Sequence, residues 1–155
     1  MFEQIPGYFS AAELAQLSAI KERSLEKVIY TVWKNLSSHG EGFESLDWVE
    51  LFFSENTLLT FHAGENSSGI GIQPLNLSFE QNRIFHQFRG QVALDRIDMS
   101  HSPVWADLLG KKVTNIGLET HDHDHFANHI IQLDLGQNRV EIGMGEEGLI
   151  VLKAC

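Results

Sequence analysis

The stretch "WVELFFSENTLLTFHAGE", residues 48–65, is the strongest indication of the fold in the sequence. Runs of β-branched, aromatic and leucine side chains lie on either side of the turn-forming residues 54–56. Such runs, short and interrupted by polar turn residues, are typical of two adjacent strands. The stretch therefore predicts an antiparallel hairpin with strands over 48–53 and 57–62.

A second stretch, "IIQLDLGQNRVEIGMGEE" at 130–147, aligns with the first at an offset of 82 residues. Three of the 18 aligned pairs are identical: Leu51 with Leu133, Asn56 with Asn138, and Glu65 with Glu147. The expected inward-facing residues also align, with Val49, Leu51 and Phe53 on Ile131, Leu133 and Leu135. The match predicts one domain over 1–155 with repeat halves 9–73 and 99–153. A chance match between two amphipathic hairpins is the alternative.

The remaining elements surround these hairpins. Residues 10–23 are predicted to form a helix, because Ser10 and Glu13 make a capping box. "SPVWADLLG", which begins at Ser102 as N-cap, predicts a short middle helix. Strands are also predicted over 28–33, 69–72, 92–97, 112–119 and 149–152. The predicted class is α+β and β-dominated, with two antiparallel β-meanders, an N-terminal helix and a short middle helix.

Residues 75–88 allow both a strand and a helix. Leu75, Leu77 and Phe79 alternate with polar residues, which is the pattern of a strand. Ser78 and Gln81 have the spacing of a capping box, which would begin a helix. The alternation favours the strand.

The charge balance restricts the classes of partner. The chain has 21 acidic and 11 basic residues, a formal charge of -10, which argues against nucleic acids and anionic membranes. Between Asn35 and Asn82 there are seven carboxylates and no Lys or Arg. This segment predicts either a solvated surface that keeps the protein soluble or a face that docks a basic protein.

We expect the binding face to include Glu50, Phe52 and Glu55. The alternation that points Leu51 inward points Glu50 and Phe52 outward. Phe52 would be the apolar anchor, while the carboxylates would accelerate encounter with a basic partner. The predicted function is thus a non-enzymatic protein-binding module without a cofactor.

The sequence "HDHDHFANH" at 121–129 suggests an alternative function. His121, His123, His125 and His129 supply imidazoles that zinc or another divalent transition metal accepts as ligands. The segment links two predicted strands, so we expect a hairpin tip, where second-shell partners are scarce. We therefore expect His121, His123 and His125 to be exposed and free of stoichiometric metal. An enzyme whose residues form no local motif is a further alternative.

The only cysteine, Cys155, allows no internal disulfide, and no signal peptide or membrane-length apolar run is recognisable. We therefore expect a soluble, cytoplasmic protein.

Overall fold

A computed structural model describes residues 7–35, 44–64, 69–122, 125–145 and 148–154. These ranges contain nine strands and two α-helices. In chain order they are α1 (Ala11–Ala19), β1 (Leu25–Asn35), β2 (Glu44–Phe53), β3 (Thr57–Ala63), β4 (Ile70–Ile72), α2 (Leu77–Phe88), β5 (Val92–Asp98), β6 (Val113–Asp122), β7 (His125–Leu135), β8 (Asn138–Gly145) and β9 (Gly148–Ala154). Neither helix is long and apolar enough to cross a bilayer.

The strands form two antiparallel sheets. One has five strands in the order β4-β3-β2-β1-β5, and the other has four in the order β6-β7-β8-β9. The β-dominated α+β class with two meanders is therefore confirmed. Strand β5, which the sequence predicts at 92–97, is the fifth strand of the first sheet. It follows α2 in the chain and pairs with β1 at the sheet edge.

The core lies between the two sheets. Val49, Leu51 and Phe53 of β2 are at most 2% exposed. Their counterparts on β7, residues 131, 133 and 135, are at most 1% exposed and belong to the same apolar cluster. Leu17 and Ile20 from α1 and its C-cap complete this cluster. Period-two alternation therefore identified the buried faces of both hairpins correctly.

The two meanders agree in strand order but differ at one turn. Leu51 lies on β2, the second strand of the meander β1–β4, and Leu133 lies on β7, the second strand of the meander β6–β9, as predicted. Phe53 pairs with Thr57 across a three-residue turn, whereas Leu135 pairs with Asn138 across two residues. Asn56 therefore lies in a turn and Asn138 in a strand, so their predicted equivalence is wrong. Beyond the turns the matching offset is 81, which puts Leu59 level with Val140.

Residues 77–88 form a helix, so the preference for a strand over 75–88 is wrong. Asn76, not Ser78, is the N-cap, and its side chain accepts a hydrogen bond from the Phe79 amide. Ile84 is 1% exposed, and the Phe88 ring lies 5.3 Å from the Trp33 ring. Packing on the outer face of the five-stranded sheet thus stabilises a helix whose local pattern favoured a strand.

Both other helical predictions need shorter bounds. The Ser10–Glu13 capping box is present, but α1 ends at Ala19 instead of near residue 23. The chain leaves the helix there because Glu22 and Arg23 exchange backbone hydrogen bonds with Val113. The middle helix is only a 3₁₀ turn over Ala106–Leu108, and Ser102 does not cap it: within the described part of the chain, the Ser102 hydroxyl has no hydrogen-bond partner.

Candidate functional site

The histidine segment lies at a hairpin end, as predicted. β6 ends at Asp122, which pairs with His125 at the start of β7. His125 is half-buried with its ring 5.0 Å from that of Tyr8, and His129 is exposed. His123 and the side chain of His121 lie outside the described residues. Among the side chains that are described, no group of three or more His, Cys, Asp or Glu could hold a metal ion. The predicted exposure of His125 is wrong, since its ring packs beside Tyr8. That His121, His123 and His125 are free of stoichiometric metal stays a prediction.

Glu50 is not the exposed carboxylate that the alternation predicted. It lies on the outer face of β2, but only 6% of it is exposed. Its Oε1 accepts a hydrogen bond of 2.7 Å from Nη2 of Arg96 on β5. The expectation of a solvated Glu50 is wrong because Arg96, on the edge strand β5 that the hairpin alone does not reveal, pairs with its carboxylate.

Phe52 and Glu55 remain accessible. Phe52 is half-buried and points outward, and Lys27 Nζ lies 5.7 Å from its ring centroid. Cross-strand pairing places Phe52 between Lys27 on β1 and Leu58 on β3, and Leu58 is 45% exposed. Glu55 lies in the β2–β3 turn, is exposed and forms an ion pair with Arg23.

The segment without Lys or Arg acquires positive neighbours in the folded chain. Three of its seven carboxylates pair with arginines from outside the segment: Glu50 with Arg96, Glu55 with Arg23, and Glu80 with Arg83. These pairs lower the local negative potential that the sequence suggested. The overall charge of the chain is still -10.

A polar cleft, which no sequence motif indicated, opens where α1, the β3–β4 hairpin and β7 meet. Its volume is about 410 Å³. Its polar lining comes from residues distant in sequence, namely Ser10, Glu13, Gln16, His62, Gln73 and Asn128. Because three separate regions supply these side chains, only the tertiary structure brings them together. The Ser10–Glu13 capping box, visible in the sequence, predicts the start of a helix and not a cleft.

Glu13 ties α1 to the edge of the five-stranded sheet. One carboxylate oxygen accepts a 2.9 Å hydrogen bond from the Ser10 amide, and the other accepts a 2.8 Å bond from the Ile72 amide of β4. The residue is only 7% exposed. A capping glutamate that also bonds a second element holds its charge at the cleft wall.

His62 forms another wall of the cleft. Its ring stacks on Trp48 with centroids 4.8 Å apart, and Nδ1 lies 3.3 Å from the carbonyl oxygen of Ala63. Burial lowers the pKa of His62, although Glu13 and Glu80 oppose this shift, so the imidazole is neutral at pH 7. Gly71 packs directly against the ring, where a β-carbon would overlap it.

Asn128 closes the cleft from β7. It is 6% exposed, and its Oδ1 has no hydrogen-bond partner among the described residues. Its amide lies over Gly69, which has a φ of +123° and no side chain to displace it. A buried carbonyl oxygen without a partner costs free energy, so the Oδ1 of Asn128 is an unsatisfied acceptor at the cleft wall.

The carboxyl group of Asp47 has a strongly raised pKa. Burial, reinforced by Glu80, raises the pKa of Asp47 to about 6, while Arg83 opposes the shift. Its ordinary pKa is 3.8, so as the pH rises from 3.8 to 6 the unfolded chain loses its proton first. Stability therefore falls with rising pH across this window.

Asp47→Asn should consequently stabilise the protein at pH 7.5, by about 2 kcal/mol in the free energy of unfolding. The gain should disappear near pH 3.5, where the Asp47 carboxyl is largely protonated in both the native and the unfolded state. Urea unfolding of both proteins at the two pH values measures the difference. An equal effect at both values would contradict the assigned pKa of Asp47.

No family model, curated protein or solved structure matches this chain. The functional conclusion therefore depends on the geometry of the outer row Lys27–Phe52–Leu58 and of the polar cleft.

Proposed function

We propose that this chain is a non-enzymatic protein-binding module that recognises a basic protein. The observation that carries the proposal is the pairing of half-buried Phe52 with exposed Leu58 on the outer face of the five-stranded sheet. Aromatic and large aliphatic side chains of this kind supply most of the affinity when a partner desolvates them.

The charge of the chain supplies the specificity. At -10 the protein attracts basic partners at long range and repels acidic ones. Glu55 lies beside the anchor, but its pair with Arg23 leaves it with a small part of this role. Glu50 has no part in it, because it is buried against Arg96. The cytoplasmic location inferred from the sequence stays a prediction.

The Lys27 ammonium beside the ring does not conflict with a basic partner. It lies 5.7 Å from the ring centroid and is a long, flexible side chain at the rim of the row. Exposed cation–π contacts are worth roughly 0.5–1 kcal/mol, less than a desolvated aromatic anchor contributes. Displacement of Lys27 by a partner therefore costs less than burial of Phe52 gains.

The proposal predicts that Phe52 and Leu58 control the lifetime of the complex. Tag-free protein coupled to a sensor surface should capture a basic protein from an extract of its native source. Phe52→Ala should raise the dissociation rate at least about tenfold, and Leu58→Ser should raise it severalfold, because truncating an anchor mainly affects dissociation. Raising the salt concentration should slow association without this effect on dissociation.

Leu152→Ser is the matched control. Leu152 is 57% exposed on β9 of the other sheet, so it tests loss of an exposed leucine away from the row. Capture should survive this change. The proposal is wrong if no protein is captured, if the captured protein is acidic, or if Leu152→Ser weakens capture as much as Phe52→Ala.

A further inference from the structure

The polar cleft is rich in hydrogen-bond acceptors. Glu13 contributes a carboxylate, each of whose oxygens retains lone pairs beyond the one backbone bond that it accepts. Asn128 contributes an Oδ1 that has no partner among the described residues, in a side chain that is more than nine-tenths buried. Glu13 lies on α1 and Asn128 lies on β7, and both line the same cleft. A ligand that suits them must donate several hydrogen bonds.

The sign of the charge in the cleft is negative. The N-terminus of α1 lines the same space, and the free N–H groups of a helix start carry roughly half a positive charge. Here the Ser10 hydroxyl and the Glu13 carboxylate already bond the Glu13 and Ser10 amides. The full negative charge of Glu13 exceeds the half charge of the helix end, and neutral His62 adds none. The cleft therefore favours a cation over an anion.

The size of the cleft fits a side chain. Its volume of about 410 Å³ is near the lower end of the 300–1,000 Å³ typical of ligand sites. Asn128 lines the cleft, and its Oδ1 would meet an incoming donor after a rotation about χ2, a torsion with a broad energy minimum.

We infer that this cleft binds the guanidinium group of an arginine side chain. A guanidinium carries five N–H donors in a planar fork, which suits separated acceptors better than the single point charge of an ammonium. The inference rests on the proposed function, since the arginine belongs to the basic partner. The cleft would supply the polar part of the contact with that partner, and Phe52 and Leu58 would supply the apolar part.

The two halves are close enough for one partner. Leu58 and His62 lie on the same face of β3, four residues apart. At about 3.3 Å per residue they are separated by roughly 13 Å, well within one protein interface. A partner that covers Leu58 can therefore place an arginine in the cleft beside His62.

The direct test uses Nα-acetyl-L-arginine amide, with the neutral isostere Nα-acetyl-L-citrulline amide as matched control. Each is titrated into ¹⁵N-labelled protein, and the amide signals of Gly69 and Gly71 at the cleft wall are followed. The arginine compound should shift them saturably, with a dissociation constant on the order of 1 mM. The citrulline compound should bind at least about tenfold more weakly. Absent or equal shifts with the two compounds would overturn the inference.

Variants test the assigned acceptors. Glu13→Gln should weaken arginine binding about tenfold, because it removes the charge from a charge-assisted hydrogen bond. Since Glu13 also caps α1, this variant is at risk of unfolding, and a gain-of-affinity variant keeps the test independent of folding. Gln16→Glu adds a carboxylate at the cleft wall and should tighten binding about fivefold.

Ala15→Glu is the control for Gln16→Glu, because it adds the same charge to an exposed position of α1 outside the cleft. Equal tightening by both would show a general charge effect and overturn the site. The outcome is separable from the proposed function. If partner capture depends on Phe52 but arginine does not bind, only the proposed arginine site is wrong. If arginine binds but no partner is captured, only the proposed protein-binding function is wrong.

Discussion

Replacing Trp105 with alanine is expected to lower the free energy of unfolding by about 4 kcal/mol, the range found when buried tryptophans are truncated. Trp105 is fully buried in the connection between β5 and β6. Its Nε1 donates a 2.7 Å hydrogen bond to the Tyr30 hydroxyl of β1. The substitution therefore leaves a large cavity in the shared core and removes the partner of a half-buried hydroxyl.

Urea unfolding followed by circular dichroism measures this effect. Tyr30→Phe is the matched variant, since it removes the hydrogen bond and keeps the aromatic packing. It should cost about 2 kcal/mol, because the buried Nε1–H of Trp105 is left without its acceptor. If Trp105→Ala costs no more than Tyr30→Phe, the cavity contributes little and the placement of Trp105 in the core is wrong.

Arg96→Met is expected to lower the free energy of unfolding by about 2 kcal/mol. It leaves the Glu50 carboxylate 6% exposed and without its arginine. Breaking a fully buried pair costs about 3–5 kcal/mol, but the Arg96 side chain is 38% exposed, so water replaces part of the lost interaction. The charge left behind, more than the lost attraction, causes the destabilisation.

A double-mutant cycle isolates this cause. Glu50→Gln combined with Arg96→Met should recover most of the loss, because no buried charge then remains unpaired. As a control, Asp107→Asn should cost less than about 0.5 kcal/mol, since Asp107 is 79% exposed and 3.5 Å from Lys153. Additive effects at Glu50 and Arg96 would show that the two side chains do not interact.

Local patterns predicted the hairpin strands well because each turns one face to the core and the other outward. The alternation around Leu51 and Leu133 reports the inner face directly, since a register shift of one residue would expose every apolar side chain. The one-residue error between Asn56 and Asn138 arose at the turns, because one hairpin has a three-residue loop and the other a two-residue loop. Turn length is poorly visible in a pattern that reads only apolar and polar residues.

The site was less predictable than the fold. Phe52 was correctly placed outward, yet Glu50, two residues earlier on the same face, is only 6% exposed and pairs with Arg96 of β5. Alternation distinguishes the two faces of a strand but does not say which distant side chains cover the outer one. Arg96 lies on a strand that joins the sheet only after α2.

Local sequence accounts for the hairpins, the Ser10–Glu13 cap and the inward faces of both meanders, because these depend on contacts within a few residues or on period-two alternation. Packing between distant segments accounts for the helical state of α2, the pairing of Arg96 with Glu50, and the cleft that Glu13, His62 and Asn128 share. Those features depend on surfaces that meet only when the two sheets and helices pack. Their free energies arise from burial and pairing between distant segments, which no local pattern in the chain encodes.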